Sequence, residues 1–388
     1  MSSRNALVLT ALALAAATRA DPLTVFFVDP GFDQYSGDAM LVCTPSGGHY
    51  VVDGGDRGSA PPWDCGEARL LPLLDSLEVT SLDGIVATHP HSDHVGGLVA
   101  LLEAMPVGTV WDSGWPYAPT PAYEDFLDAM EASGASYVVA RRGMELDWGP
   151  GLEVEVLHPA DPLDESEMNN ASIVLRITHG QVSFLLTGDI YTEGGEDAIL
   201  EAVGSGIIDT VQSDVLKVAH HGSSTSTSTA WLAAVDPEWA AIEVGAGNPY
   251  GHPHDEVIAR LLGRGIDIFR TDLDGTFYIS TDGQELFYNS LPDGGGGQEW
   301  EGLRAYPSPA SSHVTFEWNS AGGIQPGPFC LAVYNLLGEM VLDLEVTGNS
   351  YEWDFSLESG SLASPGLYVA VVESSDGVRH TECFAIVR

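Results

Sequence analysis

The chain has 388 residues, enough to bury one large core or one large and one small core. Hydrophobic residues make up 44% and mean hydropathy is +0.04, which suits an ordinary folded protein and not a disordered one. Asp and Glu number 56 against 14 Lys and Arg, a formal net charge of -42 with Lys217 the only lysine; such a surface repels nucleic acid and anionic membranes unless a local site overrides it.

Residues 1–20 read as an export signal. Arg4 supplies a positive start, Leu7 to Ala17 is apolar but too short to span a bilayer, and Thr18-Arg19-Ala20 offers a cleavage site before Asp21. No other segment has transmembrane length, so the expectation is an exported chain with no stable membrane insertion. The four cysteines fit an oxidising compartment: Cys43 with Cys65 and Cys330 with Cys383 allow one disulfide in each region.

From residue 21 to 290 strand-like and helix-like runs alternate. Leu23 to Val28, Ala39 to Cys43 and His49 to Val52 are short β-type runs, followed by a helix candidate at Ala68 to Leu77. Gly84 to Thr88 reads as a buried strand and Leu98 to Leu102 as the start of an apolar helix. Further strands are expected at Thr109 to Trp111, Leu152 to Leu157, Ser172 to Thr178, Gln181 to Leu186, Val215 to Ala219 and Ala240 to Val244. Helices are expected at Tyr123 to Ala132, Thr229 to Val235 and Glu256 to Leu262. This order suggests layered sheets with helices outside. Residues 291–302 are a Gly-rich linker, and residues 303–388 carry short alternating strands that suit a small all-β sandwich.

The chemistry concentrates between Gly84-Thr88 and Leu98. Thr88-His89-Pro90-His91-Ser92-Asp93-His94 puts three of the chain's 12 histidines and a carboxylate on one sharp connection. In extended backbone His89 and His91 point to the same side, so they can converge on one ion, and Pro90 keeps His89 out of helical geometry. Asp93 and His94 lie past the bend and can face a second ion. Imidazole and carboxylate are ligands that zinc accepts. Two more strand ends carry candidates: Leu185-Leu186-Thr187-Gly188-Asp189 and Lys217-Val218-Ala219-His220-His221-Gly222. Asp53-Gly54-Gly55 reads more simply as a turn, and Asn248-Pro249-Tyr250-Gly251-His252-Pro253 is a polar, aromatic loop.

Taken in order, these strings resemble the metallo-β-lactamase superfamily over residues 23–285, with Ser36-Gly37-Asp38-Ala39 and Asn169-Asn170-Ala171-Ser172 as further matches. The likeness is greatest to the hydrolase domain of competence DNA-uptake proteins, and secreted phosphorylcholine esterases are similar. The resemblance implies a four-layer αββα sandwich holding two divalent ions, usually zinc, with manganese as the alternative. It implies that His89 and His91 bind one ion, that Asp93 and His94 bind the other, that Asp189 bridges them, and that His220 or His221 completes the second site. Asp93 then belongs to the catalytic centre, and Lys217 and His252 are candidates to contact a phosphate or to protonate a leaving oxygen. Many members carry one more histidine where this chain has Asn169 to Ser172, which leaves the first ion short of a ligand.

The leading functional expectation is a secreted phosphodiesterase, of extracellular nuclease or phosphorylcholine-ester type, in which two ions hold the hydroxide nucleophile and the phosphoryl oxygens in line. The alternatives are another hydrolase of the superfamily, acting on a lactone, thioester or β-lactam, and a non-catalytic metal-binding surface protein. The charge weighs against long nucleic acid as substrate more than against a small phosphodiester. In the C-terminal region, Tyr306-Pro307-Ser308-Pro309-Ala310, Val333 to Gly338 and Ser364-Pro365-Gly366-Leu367-Tyr368 resemble type IX secretion sorting domains and flagellar-hook-capping Ig-like repeats. That resemblance implies outer-membrane secretion machinery as a partner and a place outside the cell, released or on its surface.

Overall fold

The computed structural model describes residues 22–31, 37–59, 62–291, 302–306, 313–319, 328–335, 340–347, 350–357, 361–373 and 379–386. The export signal at 1–20 and nearly all of the linker at 291–302 lie outside the described residues.

Period-two alternation sorts the side chains of the central strands onto two faces, and here both faces are buried. In Leu23–Phe27 and Ala39–Cys43, Val25, Phe27, Met40 and Val42 enter one core while Phe26 and Leu41 enter another. The first sheet has eight strands, in the order Leu286–Ser290, Phe277–Thr281, Leu23–Phe27, Ala39–Cys43, His49–Gly54, Leu82–Ala87, Val107–Asp112 and Ser136–Val139. Pairing is antiparallel up to His49–Gly54 and parallel beyond it. The second sheet has six, in the order Asp267–Arg270, Trp239–Ile242, Val215–Lys217, Val182–Leu186, Val174–His179 and Leu152–His158.

The two sheets face each other across a shared core that includes Phe27, Val86, Phe184 and Ala241. Helices Leu71–Ser76, Leu98–Ala104 and Pro121–Ser133 cover the outside of the first sheet. Asp197–Gly204, Thr229–Val235 and Asp255–Leu262 cover the outside of the second. This is the expected αββα layering. Each fully buried Leu, Ile, Val or Phe contributes about 1.5–3 kcal/mol, so the three apolar layers hold the strand ends firmly in place. Parallel strands bring several carboxyl ends to one rim, where the ligand-bearing loops emerge.

The C-terminal region forms a three-stranded sheet, Gly302–Tyr306, Val314–Asn319 and Ser350–Trp353, and a four-stranded sheet, Met340–Thr347, Pro328–Asn335, Gly366–Glu373 and Arg379–Ile386. Phe316, Trp318, Leu331, Val333, Trp353 and Ala370 form one core between them. Two expectations need correction. The helix expected at Ala68 begins earlier, as a wide turn over Gly66–Leu70 that runs into Leu71–Ser76. Cys43 and Cys65 are both free thiols, and Cys330 is unbonded too; the Cys383 side chain lies outside the described residues. Cys65 is instead packed against Gly55, where burial raises its thiol pKa well above the usual value.

Candidate active site

Three strand ends supply the site. Leu82–Ala87 ends in Thr88 and His89, a single helical turn at Ser92–Val95 carries Asp93 and His94, and the chain then re-enters a helix at Leu98–Ala104. From the facing sheet, Val182–Leu186 leads to Asp189 and Val215–Lys217 leads to His220 and His221. Both of those histidines sit at positive φ, 52° and 53°, a backbone state that non-glycine residues hold only when the surroundings enforce it.

Hydrogen bonds orient each ring. The Thr88 hydroxyl donates to Asp53 Oδ2 at 2.6 Å, so it can only accept from His89 Nδ1, 3.1 Å away. That leaves His89 Nε2 with its lone pair, 3.0 Å from His91 Nδ1. Two nitrogens sharing a tetrahedral zinc at about 2.0–2.1 Å stand roughly 3.3 Å apart, so the pair is spaced to share one ion. His94 Nδ1 is held by Asp53 Oδ2 at 2.7 Å, and its Nε2 lies 3.2 Å from Asp189 Oδ2. His221 Nδ1 meets the Glu243 carbonyl at 3.0 Å and Asp38 Oδ1 at 3.1 Å, while its Nε2 faces Asp189 Oδ2 at 3.3 Å and Asp93 Oδ2 at 3.5 Å.

The arrangement separates His221 from His220. His221 Nε2 joins Asp93 and His94 in a group whose ligand atoms lie within 4.8 Å of one another. His220 keeps its Nε2 3.9 Å from Asp189, bonds Thr225 through Nδ1 at 3.0 Å and stacks on Tyr191. His89, His94 and Asp189 form a second group of the same tightness. His94 belongs to both groups, and Asp189 also groups with Asp38 and His221, so its carboxylate reaches the His89 side and the His221 side alike.

These residues fit a pair of divalent ions. His94 Nε2 and His221 Nε2 are buried, make no well-formed hydrogen bond and converge on Asp189 Oδ2, which is a costly state for polar atoms without a cation between them. The electrostatics agree. Burial alone would raise the Asp189 carboxyl, but His221, His94 and His220 hold it well below the usual carboxylate range. Burial would likewise lower His94, yet Asp189 and Asp53 raise it well above an ordinary imidazole. The pocket asks for positive charge. For Asp93, burial is outweighed by the hydrogen bond to His221 and the charge of His94, and its pKa falls.

Other expectations meet a different outcome. Lys217 is completely buried and ion-paired to Asp38, with Nζ also 3.3 Å from the Gly188 carbonyl and 3.9 Å from Asp189 Oδ1. It lies beneath the ligands and has no open side to offer a substrate phosphate. Asp53, which reads as a turn residue, is buried at φ 58° and binds Thr88 N at 2.8 Å as well as the Thr88 hydroxyl and His94. Asn170 does not face the donors: its amide donates to the Glu193 carbonyl and its oxygen accepts from Tyr191 N. Ser172 is the residue that reaches the site there, with Oγ 3.3 Å from His89 Nδ1 and accepting from Asp189 N at 3.0 Å. His252 sits at the mouth, 5.6 Å ring to ring from His220 and stacked with Tyr250. Its loop is pinned by Asn248, which bonds the His252 backbone at both N and O.

Sequence reasoning missed Asp38, Glu243 and Ser172. Asp38 and Ser172 stand inside matched strings but are not singled out there; Glu243 carries no local signal, being a lone acid at the end of an apolar strand.

Residues 32–242 match the family described as Metallo-beta-lactamase superfamily, more than half of the chain. ComE operon protein 3 of Bacillus subtilis (strain 168) is 33% identical over 255 residues, 63% of this chain and 32% of that protein. Competence protein ComA of Neisseria gonorrhoeae is 33% identical over 245 residues, 63% of this chain and 31% of its own. The chain thus spans about a third of the length of these relatives. Among solved structures, Zn(2+)-bound PqqB from Methylobacterium extorquens is similar at a TM-score of 0.38 and 12% identity, over 64% of this chain and 98% of that one.

Proposed function

The chain belongs to the metallo-beta-lactamase superfamily, whose members are generally metal-dependent hydrolases, and from that premise we propose that it is a phosphodiesterase acting outside the cell. The observation that carries this reading is the shared carboxylate: Asp189 groups with His89 and His94 and also with His221, and both His94 Nε2 and His221 Nε2 face its Oδ2. His89, His91, Asp93, His94, Asp189 and His221 would hold the two ions, which would supply Lewis acidity toward a phosphoryl oxygen and a water activated near neutral pH.

The protein's own groups do the rest. Asp53 holds His94, and the Glu243 carbonyl with Asp38 beside it holds His221, in the tautomer that leaves Nε2 free. Burial and the neighbouring His221, His220 and His254 press the His252 pKa down to about 4, so His252 is a neutral ring at pH 7. In that state it serves as an N–H donor to a phosphate oxygen at the mouth, not as the source of a proton. A small phosphodiester fits the charge of -42 better than a long polyanion.

The resemblance of the C-terminal sandwich to sorting domains, together with residues 1–20, supports export and delivery through outer-membrane secretion machinery. The direct test is a substrate panel on zinc- or manganese-loaded protein: bis(p-nitrophenyl) phosphate, single-stranded DNA, a phosphorylcholine ester and a thioester. Turnover of the phosphodiesters supports the reading. Thioester turnover alone would replace it with another hydrolase activity of the superfamily.

A further inference from the structure

The chain's only lysine is sealed inside the protein, which is the opposite of where an ammonium group is most stable. Its surroundings are specific. Lys217 ends a strand of the second sheet, and Asp38 immediately precedes Ala39–Cys43 of the first, so their ion pair crosses from one sheet to the other. Glu243, just past Trp239–Ile242 of the second sheet, makes a parallel tie by accepting from Ala39 N at 3.0 Å. Asp38 in turn donates its backbone N–H to the Asp93 carbonyl at 3.2 Å and presents Oδ1 to His221 Nδ1 at 3.1 Å. Gly37 lies so close to the Asp93 carbonyl that a Cβ there would collide with it.

We infer that Lys217 is a positioning residue for the second ion: through Asp38 it sets His221 and Asp93, which come from opposite sheets, at ligand spacing from each other. This inference rests on the dinuclear reading of the site. Two observations and one general argument support it. The ion pair is made by the one Asp38 oxygen, Oδ2, while the other, Oδ1, serves His221, so one carboxylate is shared between clamp and ligand. Lys217 Nζ also lies 3.9 Å from Asp189 Oδ1, on the side of that carboxylate away from the histidines, and so balances the charge beneath it. Finally, a buried ion pair adds little net stability compared with an apolar pair of the same size, so stability alone is a weak reason for it.

The test compares Lys217→Met with the double variant Lys217→Met/Asp38→Asn, measuring zinc affinity and stoichiometry by competition with a chromophoric chelator. Thermal melts in EDTA follow the fold independently of metal. Lys217→Met should lose about 10–100-fold in affinity for one of two ions, the range seen when residues supporting a metal ligand are removed. The double variant removes both partners of the ion pair and leaves no unpaired Asp38 carboxylate, so in EDTA it should melt closer to wild type than the single variant yet bind the second ion as poorly. A double variant that melts like wild type and binds two ions with wild-type affinity would overturn the inference, leaving Lys217 a purely structural residue. The chelator assay needs no turnover, so a wrong substrate would leave it intact. A wild-type chain binding fewer than two ions would instead overturn the dinuclear reading itself.

Discussion

His94 Nδ1 and Asp53 Oδ2 meet at 2.7 Å, both fully buried, although 41 positions separate them in sequence. Asp53 also takes Thr88 N and the Thr88 hydroxyl, so one carboxylate fixes both the start of the histidine loop and the ring at its end. Asp53→Asn should therefore weaken zinc binding by about 10–100-fold while the protein still folds. Chelator competition reads the affinity, and circular dichroism the fold.

His252 is predicted to act on substrate and not on metal. Loss of one hydrogen bond to a charged group removes about 1.5–3 kcal/mol, so His252→Ala should lower kcat/KM for bis(p-nitrophenyl) phosphate roughly 10–100-fold. Its metal content should match wild type by elemental analysis. A fall in zinc content would make His252 a ligand.

Asn170 tests the departure from the common ligand pattern. Its side chain ties Tyr191 N at 2.9 Å and Glu193 O at 2.8 Å, both in the loop that follows Asp189. Asn170→Ala should reduce stability by about 1–3 kcal/mol through two lost, partly buried hydrogen bonds, measured by denaturant melts. Zinc affinity of the folded variant should change far less than in Asp53→Asn.

His158 gives a pH prediction with a definite sign. Burial and the nearby Arg142 and Arg141 lower its pKa from 6.5 to about 4, despite its bond to the Asn170 carbonyl. The unfolded chain takes up this proton first, so stability is full above pH 6.5 and falls as pH drops from 6.5 to 4, by roughly 3 kcal/mol at most. His158→Gln should be less stable than wild type at pH 8, and the gap should narrow as pH approaches 4. A gap that stays constant across that window would remove His158 from the acid response.

The parts of the architecture legible in sequence are those whose signal is local. Ala39–Cys43 and Thr229–Val235 follow from apolar runs with clear ends, and His89 to His94 follows from its own spacing. Ser136–Val139 escapes because it is an edge strand with little burial and thus no alternation to read. Asp53 and Lys217 mislead for a different reason. An Asp before two glycines has the composition of a turn, and a lysine in an apolar strand gives no sign that Asp38 will reach it from the opposite sheet. Their roles exist only once the two sheets face each other. The choice between His220 and His221 likewise depends on backbone geometry at adjacent residues of identical type.

The central claim, two ions held about one shared carboxylate, is tested most directly at Asp189. Wild-type protein should carry two zinc or manganese ions per chain by elemental analysis, hydrolyse bis(p-nitrophenyl) phosphate, lose that activity in EDTA and regain it on metal addition. Asp189→Ala should hold fewer than two ions and lose hydrolysis by a factor on the order of 10²–10⁴, the scale of removing a group central to the chemistry. An Asp189→Ala protein that keeps two ions and full hydrolysis would contradict the account.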